Sequence, residues 1–357
     1  MTVKRKGLIP DGLTINRAIV LVFFCCVLIF FCSGCKQKQA SANTAFYYWR
    51  TSFSLDQKVA DLLLHTAKNK LYLRFFDVVW NEEKNEVIPN ALVDIRQDAS
   101  RLNITPVVYI TNKTFQHINA ERIDSLAKNV NQLINRIAAK NKISYTQVQI
   151  DCDWSVSTRD KYFSFLRSFK SLNKRSLEAT IRLHQVKYPE RTGVPPVDKG
   201  LLMFYNMGKI SANSKQPNSI YNFADAEKYI SSLPYYKLPL DVALPVFSWA
   251  IHIRNGRILT VNNSIGEKEL LNKNYFEKTK GEVYRAVRSF YLSGVYVKQN
   301  DIFKLEEITT DNLNEAAAQV SKHLAKLKTR NIIYYELSAI SASAVEAKDI
   351  REVSAHF

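Results

Sequence analysis

An alternation constrains this chain more than any other feature: eight short runs rich in β-branched and aromatic residues are interleaved with stretches of helical apolar spacing. The pattern predicts strands at Phe46–Trp49, Leu71–Phe76, Pro106–Ile110, Val148–Cys152, Leu177–Arg182, Leu201–Tyr205, Val242–Phe247 and Ile332–Tyr335. Short, nearly continuous apolar runs suit strands buried on both faces. Apolar residues at i, i+3, i+4 predict helices over Leu55–Ala67, with Ser54 as N-cap, and over Ala91–Leu102, Ile123–Ala139, Arg159–Leu172, Ala224–Ser231 and Leu313–Leu327. Strands alternating with helices make a parallel sheet with helical crossovers. Eight such units fit a (β/α)8 TIM barrel of the α/β class, with an open doubly wound sheet as the alternative. No Gly-x-Gly-x-x-Gly follows a strand, which disfavours the dinucleotide-binding version of that alternative.

The rhythm breaks after strand seven. Ile251–Leu259, with Asn255-Gly256 at its centre, predicts a hairpin. Residues 260–304 follow as an insertion, with a helix expected over roughly Lys280–Leu292 and a strand at Val295–Val297.

Four of the five cysteines, Cys25, Cys26, Cys32 and Cys35, crowd near the N-terminus, so a disulfide framework is excluded. Lys4, Arg5, Lys6 and Arg17 precede an apolar run from Ala18 to Phe31, the length of a secretory h-region rather than of a bilayer span. Cys32-Ser33-Gly34-Cys35 resembles a bacterial lipobox, with Cys32 where Leu is usual. That resemblance implies a lipoprotein signal peptide over residues 1–34 and acylation of Cys35, with an uncleaved membrane anchor as the alternative. Either places the remaining chain outside the cytoplasm, bound to a membrane. Lys36, where Asp would mark inner-membrane retention, implies the outer membrane. Residues 35–44 read as a polar tether, and residues 45–357 as a single barrel domain.

The net charge is +17, and removing the leader lowers it by only three. No dense Lys/Arg run, RNP-like string or zinc-finger spacing accompanies it, so nucleic acid is not an expected partner; anionic lipid headgroups or acidic glycans are. The six histidines form no H-x-H or H-x-x-x-H pair, and neither a P-loop nor a Gly-x-Ser-x-Gly elbow is present. No metal or cofactor is expected. Cys152, between Asp151 and Asp153, should point outward beneath a helix as an inert thiol.

In a TIM barrel the chemistry lies at the C-terminal strand ends. Those positions hold Trp49-Arg50, Arg74 with Asp77, Asp151-Cys152-Asp153-Trp154, Arg182 with His184, Tyr205-Asn206, Trp249 and Glu336. Asp151 and Asp153 share a strand face, so one carboxyl should be raised towards general-acid duty, unless Arg74 and Arg182 hold both ionised. Asp153, further out, is the expected acid, with Asp151 or Glu336 as base or nucleophile; the separation of the pair would set retention or inversion. For Glu336 a salt bridge to Arg50 is the structural alternative. Trp49, Trp154 and Trp249, three of the four tryptophans, suggest rings for sugar stacking. Arg50, Arg74, Asp77, Trp154, Arg182, His184, Tyr205, Asn206 and Trp249 are the expected substrate-binding set.

Gln149–Ser155 (QIDCDWS) resembles the strand-four signature Asp-x-x-Asp-x-Asp-x-Glu of glycoside hydrolase family 18 chitinases, with Asp151 and Asp153 on its last two aspartates. Val148 replaces the first aspartate, and Ser155 stands at the catalytic glutamate. Leu201–Gly208 (LLMFYNMG) resembles the strand-six Met-x-Tyr-Asp-Met pattern, with Asn206 for Asp. Together with Ala243–Ala250 and Leu73–Val78, these segments resemble a bacterial lipoprotein family of glycosidase-like TIM barrels. The resemblance implies a polysaccharide or oligosaccharide ligand. It leaves open an enzyme or a catalytically inactive glycan-binding or scaffolding lipoprotein.

Overall fold

A computed structural model describes Met1 and Thr2, residues 41–340 and residues 345–357. The expected leader and Cys35 lie outside the described residues. Ala40–Phe357 forms one compact unit. Its eight core strands are β1 (Ser41–Tyr48), β2 (Lys70–Asn81), β3 (Asn103–Ile110), β4 (Gln147–Asp151), β5 (Ser176–Arg182), β6 (Lys199–Met203), β7 (Leu240–Pro245) and β8 (Thr329–Tyr335). All pair in parallel in chain order, and β1 closes the ring by pairing with both β2 and β8, with Phe46 opposite Leu71 on one side and Tyr334 on the other. The closed barrel excludes the open sheet. Each strand falls on its sequence-predicted run; β1 begins earlier, so residues 41–44 of the expected tether pair with Thr329–Ile332 instead.

Helices Gln57–Ala67, Ile123–Lys140, Arg159–Asn173, Phe223–Ile230 and Thr310–Ser321 pack outside the barrel near their predicted positions. The first is capped by Asp56, whose carboxylate accepts from the Val59 N–H at 2.9 Å, and not by Ser54. The helix expected over Ala91–Leu102 is absent. β2 instead runs past the mouth to Asn81 and turns back as an antiparallel strand, Glu86–Asn90, and Asp94–Ile95 pairs with Ser52–Phe53. Val93 and Ile95 lean on the core while Leu92 is exposed, a period of two that the helical count mistook. Among the described residues no helix is long and apolar enough to cross a membrane.

Between β7 and β8 lies a five-stranded antiparallel sheet. Its order is Arg257–Asn262, Trp249–Arg254, Ile302–Glu306, Val283–Ala286 and Phe276–Lys278. It has its own apolar cluster around Phe276, Tyr284, Phe303 and Leu305. The predicted hairpin is its first pair, and Asn255 and Gly256 both take the positive φ (49° and 72°) that a tight hairpin turn demands. The helix expected over Lys280–Leu292 is two strands, Val283–Ala286 and Phe290–Leu292, because Tyr284 and Ala286 bury alternate positions under the sheet. The strand at Val295–Val297 is present, paired with Phe290–Leu292.

The barrel interior is unusually polar. Near the strand starts Lys199 bridges Asp241 at 2.9 Å, Asn331 donates to Asp241 at 2.6 Å and Lys70 donates to Asn331 at 2.7 Å. One layer higher Tyr47 donates to Gln149, and Gln149 donates to the fully buried Glu178 at 2.6 Å. Burial, then the Asp241 charge, pushes the Glu178 carboxyl upward. This network makes a solid plug, so any ligand must approach from the mouth, where the strands end.

Candidate functional site at the barrel mouth

Aromatic side chains from several strand ends form a continuous belt around the mouth. Trp49, after β1, lies with its ring centroid 6.4 Å from Tyr109 of β3 and 5.8 Å from Tyr335 of β8. Tyr335 stacks on Tyr205, after β6, at 5.4 Å with an 18° tilt. Phe247, after β7, joins Tyr335 at 5.7 Å to Trp249 at 5.4 Å. Trp49, Tyr109, Tyr335, Phe247 and Trp249 are half-buried, each presenting part of its ring to solvent. Tyr109, Tyr335 and Phe247 were not among the expected site residues. All three lie at the ends of predicted strands, so a count of every aromatic at a strand end finds them.

Asp151 ends β4 beneath this belt. Its Oδ1 accepts from Thr180 of β5 at 2.6 Å. Burial, then the neighbouring Asp153 charge, raises its carboxyl to about 6. Desolvation first, then the charges of Asp151 and Asp153, pushes the Tyr109 phenol up to about 12. Burial and then Tyr335 and Asp151 hold the Tyr205 phenol well above its ordinary range. The Tyr205 hydroxyl is buried without a hydrogen-bond partner. A buried, unsatisfied hydroxyl at the mouth favours a ligand that supplies the missing partner.

The other expected residues are disposed differently. Both oxygens of Asp153 accept from Arg182, one from Nη2 at 2.5 Å and the other from Nε, so the pair is a bidentate clasp on the rim. Arg74 forms the same clasp with Asp77 and donates to the Trp49 carbonyl at 3.1 Å, its guanidinium 5.4 Å from the Trp49 ring. Neither arginine is bonded to Asp151. Glu336, in a cis linkage to Tyr335, accepts from the Trp49 N–H at 3.0 Å and from Ser338. Burial raises its carboxyl, and the exposed Arg50 acts on it only through charge, without the ion pair offered as an alternative. His184 and Asn206 lie exposed at the rim, and Asn206 has φ +53°. Trp249 donates from Nε1 to Glu306 at 2.9 Å.

Trp154 is a correction. It is 1% exposed, donates to the Thr192 carbonyl at 2.9 Å and stacks on Tyr162, so it cannot touch a ligand at the mouth. Alternation already places Trp154 on the face of Cys152, opposite Asp151 and Asp153, and there the ring packs beneath the following helix. Cys152 is buried, with its thiol pushed up by desolvation. Ser155, at the position of the family 18 glutamate, belongs to a turn: its N–H donates to Thr158 Oγ1 at 2.9 Å and its hydroxyl lies 2.9 Å from Ser157 Oγ. Among the described residues no His/Cys/Asp/Glu cluster is spaced to hold a metal ion.

Solved structures share this architecture at low identity. The Bacillus cereus spore cortex-lytic enzyme SleL is 12% identical with a TM-score of 0.53, over 90% of this chain and 75% of its own. The chitinase-like agglutinin RobpsCRA of Robinia pseudoacacia is 13% identical with a TM-score of 0.50, over 87% and 98%. The GH18 chitinase ChiB from the chitin utilization locus of Flavobacterium johnsoniae is 11% identical with a TM-score of 0.50, over 88% and 94%. No protein-family model and no curated protein matches the chain. The fold is therefore that of GH18 chitinases and chitinase-like proteins, as the strand-four and strand-six segments led us to expect.

Proposed function

We propose that this chain is a glycan-binding barrel of the bacterial envelope, anchored through an acylated Cys35, that holds a polysaccharide chain across its mouth without cleaving it. The observation that carries the reading is the aromatic belt from Trp49 to Trp249 over the unpartnered Tyr205 hydroxyl. Flat rings stack on the apolar faces of sugars, while the buried hydroxyl and the rim clasps accept or donate to sugar hydroxyls. The acid expected from the sequence is committed elsewhere, and the position of the family 18 glutamate carries no carboxyl. Asp153 is an acceptor for Arg182 with both oxygens, and Ser155 replaces a carboxyl with a turn hydroxyl. Among the neighbours, an agglutinin on the same fold offers a precedent for recognition, and a chitinase one for turnover.

One observation favours hydrolysis as a second reading. Asp151, at about 6, carries a proton over part of the physiological range, and Glu336 is a second raised carboxyl at the mouth. In that case Asp151, and not Asp153, is the acid. Titration calorimetry of the Ala40–Phe357 segment against a panel of chitin, peptidoglycan and acidic polysaccharide fragments, with product analysis, decides between them. Binding without products, weakened about tenfold or more by Trp249→Ala, is the expected result. Products that vanish in Asp151→Asn establish the second reading, and failure of every glycan to bind rejects both.

A further inference from the structure

The barrel has a second face, formed by the loops that lead into the strands, and its charge is one-sided. Six of these loops each carry an exposed cation that forms no ion pair among the described residues: Lys68 before β2, Arg101 before β3, Lys142 before β4, Lys174 before β5, Lys237 before β7 and Lys328 before β8. The acids nearby are few. Asp98 lies beside Arg101 and Lys142, and Asp198 before β6 is neutralised by Lys170 at 2.5 Å. Large apolar side chains are exposed on the same face. Tyr235, in the turn before β7, is 84% exposed, and Leu172, in the last turn of the helix before β5, is 43% exposed. The mouth face is mixed in sign: Glu82 pairs with Lys113, Asp77 with Arg74 and Asp153 with Arg182, and Glu83 and Glu86 are exposed on the β2 hairpin beside Lys84.

β1 begins on this basic face, so the chain enters the barrel there. Only residues 36–40 separate Cys35 from the first strand, a reach of about 20 Å when fully extended.

We propose that this floor lies against an anionic bilayer surface, with its ring of cations among the lipid headgroups, Tyr235 at the interface and the mouth turned away from the membrane. A ring of lysines and arginines around an exposed tyrosine matches the chemistry of an anionic leaflet, which attracts basic residues within a Debye length and holds tyrosine at the headgroup level. A soluble polyanion would use the cations and ignore the tyrosine and leucine. The orientation extends the anchoring reading: an acyl chain fixes the protein to a membrane but does not say which face meets it.

The test uses the Ala40–Phe357 segment, which holds the whole closed barrel and its core and lacks Cys35, so that vesicle binding reports on the floor and not on acylation. Co-sedimentation with phosphatidylcholine vesicles is compared with vesicles of equal parts phosphatidylcholine and phosphatidylglycerol. The segment is expected to bind only the anionic vesicles and to be released by salt. The triple variant Lys68→Gln, Lys142→Gln, Lys174→Gln should bind on the order of a hundred-fold more weakly, roughly fivefold per cation. The mouth-side triple variant Lys84→Gln, Lys209→Gln, Lys215→Gln should bind as the parent does. Tyr235→Ser should weaken vesicle binding and leave binding to soluble dextran sulfate unchanged. Equal binding to both vesicle types, an equal loss from the two triple variants, or binding to dextran sulfate without binding to anionic vesicles would overturn the proposal. The exposed positions of all seven residues keep these variants folded, which thermal melting verifies.

Discussion

Asp151 and Asp153 are two residues apart, and their partners separate them. Asp153 meets Arg182 on the rim, whereas Asp151 sits under the aromatic belt with one hydroxyl donor and no cation bonded to it. The folded value of about 6 lies above the ordinary 3.8, so the native state holds a proton that the unfolded chain has released. The stability this group contributes is present in full below about pH 4 and is lost as the pH rises through about 6. Asp151→Asn should therefore stabilise the protein by about 1–3 kcal/mol more at pH 8 than at pH 4. Urea unfolding of both proteins at the two pH values checks this, and an unchanged difference sinks it. Trp154 belongs to the same scale. Trp154→Phe leaves the Thr192 carbonyl without its donor and should cost about 1–2 kcal/mol, with glycan affinity unaltered. A loss of affinity at unchanged stability would return Trp154 to the binding surface.

At the scale of elements, strands were legible wherever a short apolar run was bounded by polar or turn residues, because such runs fit only a strand buried on both faces. The misread segments, Ala91–Leu102 and Lys280–Leu292, contain apolar residues at spacings that satisfy both periods, and only neighbouring strands chose between them. The docking of the inserted sheet was also illegible, since it depends on a carboxylate and partners far apart in sequence. Glu306 accepts from Ser219, from Trp249 at 2.9 Å and from the buried Lys304 at 2.7 Å, and its carboxyl is lowered despite desolvation because these donors outweigh burial. Glu306→Ala strands the Lys304 charge and should cost about 3–5 kcal/mol. It also frees Trp249, so glycan affinity should fall with stability. The double variant Lys304→Met, Glu306→Gln keeps an acceptor for the Trp249 Nε1–H and should recover much of both the stability and that affinity. Denaturant melting and calorimetry on the two variants read both quantities.

For the whole molecule, the +17 of the sequence resolves into a direction. Arg74 and Arg182 are turned to carboxylates at the mouth, Lys70 and Lys199 are built into the interior plug, and a ring of exposed cations occupies the loops at the strand starts. Eight strands in parallel order give the barrel two chemically distinct ends, one polar and aromatic, the other basic. The sequence by itself determined the strand and helix alternation, the hairpin at Asn255-Gly256 and the concentration of polar and aromatic residues at strand ends. Each depends on periodicity or turn chemistry within a few residues. Only the tertiary structure decided that Asp153 is clasped and Asp151 raised, that Trp154 is core and Tyr109 faces the mouth, and that scattered lysines form one face. Charge pairing, desolvation and facing direction arise between residues that meet only when the barrel closes.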